Sequence, residues 1–199
     1  GTNSVTVGAG HTADLAVTLA AGTDTLTATA YTGALSVTAD IDSITAADTI
    51  TGGTGSDTLT ITLDGAGDTA LAAADIANVT AVETIAIGSN VAAGITLDDA
   101  NTAAAGALTI DGTAMTTTTL TLDMSNEADG TVTVNAGAGD DAITGSASTL
   151  GDIINAGAGD DTISFATANL TVLDTVAGGD GDDILSMTNA STVVDADFT

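Results

Sequence analysis

A ten-residue block near the end of the chain occurs three times, and no other feature limits the possible folds as strongly. The copies read NAGAGDDAIT at 135–144, NAGAGDDTIS at 155–164 and AGGDGDDILS at 177–186. Each has alternating glycines, which allow the positive φ angles of tight turns, then two aspartates and a short strand with an inward aliphatic residue. A loop and a strand repeated in this order predict a coil of stacked parallel strands.

The residue types of this block suit a hard cation such as Ca²⁺. Calcium takes about six to eight oxygen ligands, from carboxylates and from backbone carbonyls that glycines leave accessible. An earlier stretch, GGTGSDTLT at 52–60, fits the nonapeptide GGxGxDxUx, in which U is a large aliphatic residue. Calcium binding is therefore the first hypothesis about function.

The rest of the chain favours an all-β fold. Alternating stretches at 25–29, 58–62, 107–110 and 117–123 predict strands, and alanine-rich stretches at 68–79 and 98–106 predict short helices or excursions. Three aromatic residues and no proline favour narrow coils over a wide core. We expect a right-handed parallel β-helix or β-roll, with a Thr/Ala-rich segment at 1–133 and a calcium-binding β-roll at 134–199.

The charge is extreme, with 27 acidic residues, no Lys or Arg and a formal net charge of −27. Glu83 and Glu127 are the only glutamates, and aspartate is the acid that suits turns and short-armed coordination. Carboxylates at repeat spacing repel one another and destabilise a compact state unless counter-ions intervene. A merely soluble or salt-adapted acidic surface is the alternative. The composition excludes a basic patch for nucleic acid or anionic lipid.

The absence of cysteine excludes disulfides and cysteine metal sites. We therefore expect bound ions to stabilise the fold in their place. No apolar stretch approaches the roughly 20 residues of a membrane span, and we expect no membrane insertion. The residues shown lack the positively charged start of a conventional signal peptide. We therefore expect a trimmed product or an export route without N-terminal cleavage.

The phase of the repeats predicts where ions bind. One side of the coil carries the three glycine loops, and the other carries 146–152 and 168–174, which have almost no glycine. We predict two ions, one between the first and second glycine loops and one between the second and third, with the opposite side largely ion-free. The predicted ligands are the carboxylates of Asp141, Asp161 and Asp183, with Asp140, Asp160, Asp180 and Asp182 adding charge or ligation, the carbonyls of Gly137, Gly139, Gly157, Gly159, Gly179 and Gly181, and Asp57 in the earlier repeat.

At these residues the chain resembles the RTX, or haemolysin-type calcium-binding repeat, family of secreted bacterial proteins. The match covers about 134–187 and 52–60, and it departs from the pattern where Ala136 and Ala156 replace the first glycine. The Thr/Ala/Asp-rich remainder, such as 75–87, resembles the coils of RTX-type surface-layer proteins. The resemblance implies a parallel β-helix, Ca²⁺, type I export, a secreted location at the cell surface, and calcium-driven assembly.

We therefore expect a structural extracellular protein, a calcium-stabilised subunit of a bacterial surface layer or filament. Its expected partner is itself, in a lattice or filament, with a cell-surface glycan or lipopolysaccharide as a further candidate. The alternative is a calcium-binding RTX module of a larger secreted adhesin, an ice-binding one included, or of a toxin.

Other functions have less support. His11 is the only histidine, which excludes HExxH and multi-histidine metal centres, and we expect no enzyme and an ordinary surface role for His11. Threonines at 25/27/29, 58/60/62 and 117/119/121 suggest a hydroxyl array, but they are unequally spaced, and strand propensity explains them. The segment 123–130 is similar to a calcium loop but lacks the glycine that an EF-hand needs at its sixth position.

Overall fold

The computed structural model describes residues 1–64 and 70–189, which form a solenoid of short strands in three parallel sheets. Sheet A contains β1 (Thr2–Thr6), β3 (Thr23–Thr27), β5 (Thr49–Thr51) and β7 (Val79–Thr80). Sheet B contains β2 (Leu15–Thr18), β4 (Leu35–Asp40), β6 (Thr58–Thr62), β8 (Thr84–Ile87), β10 (Ala107–Asp111), β12 (Thr131–Ala138), β14 (Ile153–Ala158) and β16 (Thr175–Asp180). Sheet C contains β9 (Ala93–Thr96), β11 (Leu120–Asp123), β13 (Ala142–Thr144), β15 (Thr162–Phe165) and β17 (Ile184–Met187). The predicted all-β parallel solenoid is confirmed.

Sheet B runs the length of the solenoid, and the other two sheets each accompany half of it. Sheet A flanks the early coils, and sheet C flanks the later ones. The strand β12 crosses the predicted boundary between 1–133 and 134–199, so sheet B is continuous there. The division into a Thr/Ala-rich segment and a calcium-binding segment stays a prediction.

Both predicted excursions contain a short helical turn. The helix α1 (Ala73–Ile76) lies in the first, and a 3₁₀ turn at Asp99–Asn101 lies in the second. Asp68 and Thr69, where the first was predicted to begin, are outside the described residues. None of the helices in 1–64 and 70–189 is long and apolar enough to cross a membrane.

The core is a set of stacked aliphatic columns. Strand alternation turns every second residue inward, and the parallel register stacks the inward aliphatic residues of successive coils on one another. One such column runs along the whole of sheet B. Its members are Val17, Val37, Leu59, Ile85, Ile110, Val134, Ile154 and Val176. All except the two end residues are buried. Burying each such side chain contributes about 1.5 to 3 kcal/mol.

Candidate metal centre

The three glycine loops meet at one corner of the solenoid, between sheets B and C. Each loop joins a sheet B strand to the next sheet C strand: β12 to β13, β14 to β15, and β16 to β17. The register pairs Gly137 with Gly157 and Gly157 with Gly179, so the loops stack directly. We call residues 137–141, 157–161 and 179–183 the glycine corner. The structure brings these predicted site residues together on one side, as their spacing predicts.

Glycine is required here for its backbone angles and for close approach between loops. The φ angles are +119° and +140° at Gly137 and Gly139, and the later loops repeat them within a few degrees. A Cβ on Gly157 would overlap the carbonyl oxygen of Gly137, and one on Gly179 would overlap the carbonyl oxygen of Gly157. Backbone carbonyl oxygens therefore crowd into the corner, where any side chain would displace them.

Three aspartates connect the coils at this corner through one carboxylate oxygen each. Oδ1 of Asp141 accepts a hydrogen bond from the backbone N–H of Leu120 at 2.7 Å. Oδ1 of Asp161 accepts from the N–H of Asp141 at 2.7 Å, and Oδ1 of Asp183 accepts from the N–H of Asp161 at 3.0 Å. Each carboxylate is thereby held in place by the preceding coil.

The second oxygens of two of these carboxylates lack a partner. Oδ2 of Asp141 and Oδ2 of Asp161 are buried and accept no hydrogen bond, and the residues are only 2% and 1% exposed. A buried polar atom without a partner costs about 1 to 3 kcal/mol, and more when it is charged. A cation beside these oxygens removes that cost, so the donor set fits Ca²⁺.

The electrostatics of the corner also favour a cation. The pKa of Asp141 is raised to about 6, chiefly by burial, with the Asp161 and Asp140 carboxylates adding to the effect and the Leu120 N–H opposing it. Burial likewise raises the pKa of Asp161, and the nearby carboxylates of Asp183, Asp140 and Asp160 add to the effect. The ionised forms are therefore disfavoured until positive charge arrives.

The outer aspartates of the corner are exposed and also connect the loops. Oδ1 of Asp140 accepts from the N–H of Asp160 at 3.0 Å, and Oδ1 of Asp160 accepts from the N–H of Asp182 at 2.9 Å. Asp180 lies in β16, in register with Ala158, so the third loop has an acid where the second has a methyl group. These residues add negative charge around the buried oxygens.

The residues that would hold calcium are thus Asp141, Asp161 and Asp183, with carbonyl oxygens of the stacked glycines. When bound, the ion would neutralise charge and cross-link successive coils. The chain's own residues hold the carboxylates in place through backbone N–H groups. The orphaned oxygens lie in the first two loops, and the two ions stay a prediction.

Asp57 lies apart from the glycine corner, and its predicted role as a calcium ligand in the earlier repeat stays a prediction. It ends the loop between β5 and β6, at the corner between sheets A and B. Its Oδ1 accepts from the N–H of Leu35 at 2.9 Å, and its Oδ2 accepts from the N–H of Gly53 at 2.5 Å. A nine-residue repeat is much shorter than one coil. The corner at which such a repeat lies therefore depends on the lengths of the loops that precede it in the chain.

The glycine-poor loops that precede the sheet B strands β14 and β16 satisfy their carboxylates with the chain itself. Asp152 is fully buried, and its Oδ2 accepts from the Ser146 N–H at 2.9 Å while its Oδ1 accepts from the Ser146 hydroxyl at 3.0 Å. Oδ1 of Asp174 accepts from the Asp152 N–H at 2.7 Å, and Oδ2 accepts from the Thr171 N–H at 2.5 Å. This supports the prediction that the glycine-poor side is largely ion-free.

A separate acidic cluster lies further along the same side. Carboxylate oxygens of Asp99, Glu127 and Asp129 are all within 4.8 Å of one another. Glu127 is fully buried, and its oxygens accept from the Thr102 hydroxyl at 2.5 Å and from the N–H groups of Asp129 and Gly130 at 3.0 and 2.7 Å. Its carboxylate is therefore occupied by the chain. The sequence indicated the segment 123–130 but not Asp99, which comes from the preceding coil.

Comparison with known proteins adds one match. A model of the RTX calcium-binding nonapeptide repeat matches four copies, at residues 42–60, 129–149, 146–164 and 174–186, about a third of the chain. The last three matches each contain one loop of the glycine corner, and the first contains Asp57. Searches of curated proteins and of solved structures each returned no match.

Proposed function

We propose that this chain, which carries four RTX calcium-binding nonapeptide repeats, is a calcium-stabilised structural subunit of a bacterial surface layer or filament. RTX repeats are calcium-binding motifs, and proteins that contain them are typically secreted. One observation carries the proposal: Oδ2 of Asp141 and Oδ2 of Asp161 are buried without partners in a chain of net charge −27. The chain has no Lys or Arg to pair with them, and a cation from outside the chain would satisfy them.

Calcium then stabilises the folded chain. A ligand that binds only the folded chain adds about 1.4 kcal/mol per site at ten times its dissociation constant. Two sites add roughly twice that, against a typical folding stability of about 5 to 15 kcal/mol. The ions also relieve repulsion among stacked carboxylates.

Assembly is supported by the two ends of the part of the solenoid that the structure describes. Val5 and Leu185 point into core columns, in register with Leu26 and Ile163, which are 1% exposed. Val5 and Leu185 are themselves 44% and 43% exposed. A further coil stacked on either end would bury them and pair the strand edges, as expected of subunits joined end to end.

The second candidate is a calcium-binding module of a larger secreted adhesin or toxin. The same exposed ends favour it, because additional coils of one longer chain would cover Val5 and Leu185 equally well. The two candidates differ in whether the isolated chain assembles. For the subunit we propose a cell-surface location, self-association, and a surface glycan or lipopolysaccharide as anchor. The proposal includes no catalysis, nucleic-acid binding or membrane insertion.

Chelation followed by return of calcium tests the proposal. The melting temperature, followed by circular dichroism, should fall in chelator and recover with calcium, and electron micrographs should show assemblies only in calcium. A melting temperature and particles that survive chelation unchanged would refute stabilisation by calcium. Calcium-dependent folding without any assemblies would favour the module of a larger protein.

A further inference from the structure

The outward face of sheet A carries hydroxyl groups and no charge. Its outward residues are Thr2, Ser4, Thr6, Thr23, Thr25, Thr27, Thr49, Thr51 and Thr80. We call these nine residues the threonine face. In a chain with 27 acids, this whole sheet face, as described, lacks a carboxylate.

The threonines stack in register on successive coils. One column contains Ser4, Thr25 and Thr49, and the next contains Thr6, Thr27, Thr51 and Thr80. Hydroxyl and methyl groups therefore repeat about every 4.8 Å across the strands and roughly every 6.8 Å along them. The array is regular in two dimensions.

Strand propensity alone does not explain why this face is uncharged. Threonine is favoured in strands everywhere, yet the outward rows of sheet B include Asp40 and Asp111, and those of sheet C include Asp123. Asp24, in β3, and Asp48, directly before β5, are turned inward instead. Asp24 and Asp48 are each 4% exposed, and Oδ1 of Asp48 accepts from the Asp24 N–H at 2.6 Å.

We propose that the threonine face is the surface through which a second copy of this chain packs, face to face. The inference rests on the proposed self-assembly and names its lateral contact. Two copies of net charge −27 repel wherever their carboxylates meet. At the threonine face, two sheets can approach to the usual packing distance of about 10 Å without placing acids in contact.

A two-fold axis through the face would make the contact self-complementary, since the same rows of threonines meet on both sides. Threonine methyl groups would interlock between the sheets, and the hydroxyl groups would hydrogen-bond across them. The contact is geometrically separate from the solenoid ends, so lateral and end-to-end contacts can operate together.

The size of the face indicates a weak contact that needs a lattice. Nine outward residues, each covering about 4.8 Å by 6.8 Å, make a face of roughly 300 Å². Two copies would thus bury about 600 Å², below the 1,200 to 2,000 Å² of stable complexes. Weak contacts of this kind become effective when each subunit makes several at once.

Paired charge substitutions test the inference. Thr25→Asp/Thr49→Asp places two carboxylates in one column of the threonine face, and Thr58→Asp/Thr84→Asp places two on neighbouring strands of sheet B as a matched control. Sedimentation velocity at several protein concentrations in calcium measures self-association, and circular dichroism with and without calcium measures folding. We expect at least tenfold weaker association for the threonine-face pair and less than threefold for the control. If the double variant does not fold, the single variant Thr25→Asp replaces it.

The outcomes separate this inference from the proposed function. If both pairs weaken self-association equally, or if neither pair weakens it, the threonine face is not the contact. Calcium-driven assembly is left intact by that result. A wild-type chain that folds with calcium but stays monomeric at every concentration overturns both self-assembly and this contact. Thermal hysteresis of the wild type that Thr25→Asp/Thr49→Asp abolishes would show that the face binds ice instead, which also overturns the proposal.

Discussion

The backbone N–H of Asp141 donates to Oδ1 of Asp161, one coil later, at 2.7 Å, while Oδ2 of Asp161 is buried without a partner. In the same way, the backbone N–H of Leu120 donates to Oδ1 of Asp141, and Oδ2 of Asp141 is buried without a partner. The chain thus holds each carboxylate through one oxygen and leaves the other for a cation. Calcium binding and stability both depend on this division between the two oxygens.

Replacing Asp161 by Asn should weaken calcium binding without unfolding the calcium-free chain. The amide oxygen can still accept from the Asp141 N–H, but the charge and the orphaned oxygen are lost. We expect affinity to fall at least tenfold at one or both sites, measured by isothermal titration calorimetry. The free energy of unfolding in chelator should be unchanged or higher, because a buried charge is removed. Unchanged calcium affinity would count against Asp161 as a shared ligand.

Replacing Asp152 by Ala is the control at the opposite corner. Its oxygens accept from the N–H and the hydroxyl of Ser146, so truncation leaves these two buried donors without that acceptor. The free energy of unfolding should fall by about 1 to 3 kcal/mol. Calorimetry should still count two calcium ions per chain. Loss of an ion in this variant would show that the glycine-poor corner also binds calcium.

Gly157→Ala should disrupt the stack of glycine loops. Its φ is +116°, which costs an alanine about 1 to 3 kcal/mol, and its Cβ would overlap the Gly137 carbonyl oxygen. The melting temperature in calcium should drop, and calcium affinity should drop with it. Gly8→Ala is the control, because a Cβ at Gly8 meets no atom within 4 Å. Equal melting temperatures for the two variants would contradict the stacking requirement.

Lowering the pH should stabilise the calcium-free chain and reduce the stabilisation that calcium adds. The folded pKa of Asp141, about 6, lies above its ordinary value of 3.8, so the folded state binds more protons between about pH 4 and pH 6. Stability in chelator should therefore rise as the pH falls from about 7 toward 4. Protons also compete with the ion, so the stabilisation that calcium adds should shrink below about pH 6. Melting curves at both pH extremes, with and without calcium, check this, and an equal calcium effect at both would refute it.

Asp129→Asn tests whether the cluster of Asp99, Glu127 and Asp129 binds an ion. Glu127 already accepts three hydrogen bonds from the chain, so we expect the calcium count to stay at two. Glu127→Ala should instead unfold more easily, by about 2 kcal/mol or more, because it leaves buried N–H groups unpaired. A lower calcium count for Asp129→Asn would assign a third ion to this cluster.

The glycine corner was predictable because its repeats are separated by 20 and 22 residues, with spacer loops of similar length between them. The alternation within each repeat also indicates which residues face inward. Ala136 and Ala156, which depart from the repeat pattern, are buried, so small side chains suffice at these core positions. Local pattern and near-constant coil length were enough for this part of the site.

The threonine columns were hidden because the early coils differ in length. Asn3 and Asp24 are 21 residues apart, Asp24 and Asp48 are 24 apart, and Thr51 and Thr80 are 29 apart, although each pair is in register. Loops of different length absorb the difference outside the sheet. The same irregularity placed Asp57 at another corner. The threonine runs at 58–62 and 117–121 lie on or lead into other sheets, so only the register reveals which threonines share a face.

Anomalous X-ray diffraction from crystals grown in calcium tests the central claim most directly. The account predicts two calcium peaks per chain, both at the glycine corner, one between the loops of Asp141 and Asp161 and one between those of Asp161 and Asp183. The buried Oδ2 atoms of Asp141 and Asp161 should lie within ligand distance of these peaks. Calcium peaks at Asp57, Asp152 and Asp174 with none at the glycine corner, or no bound calcium in a folded chain, would contradict it.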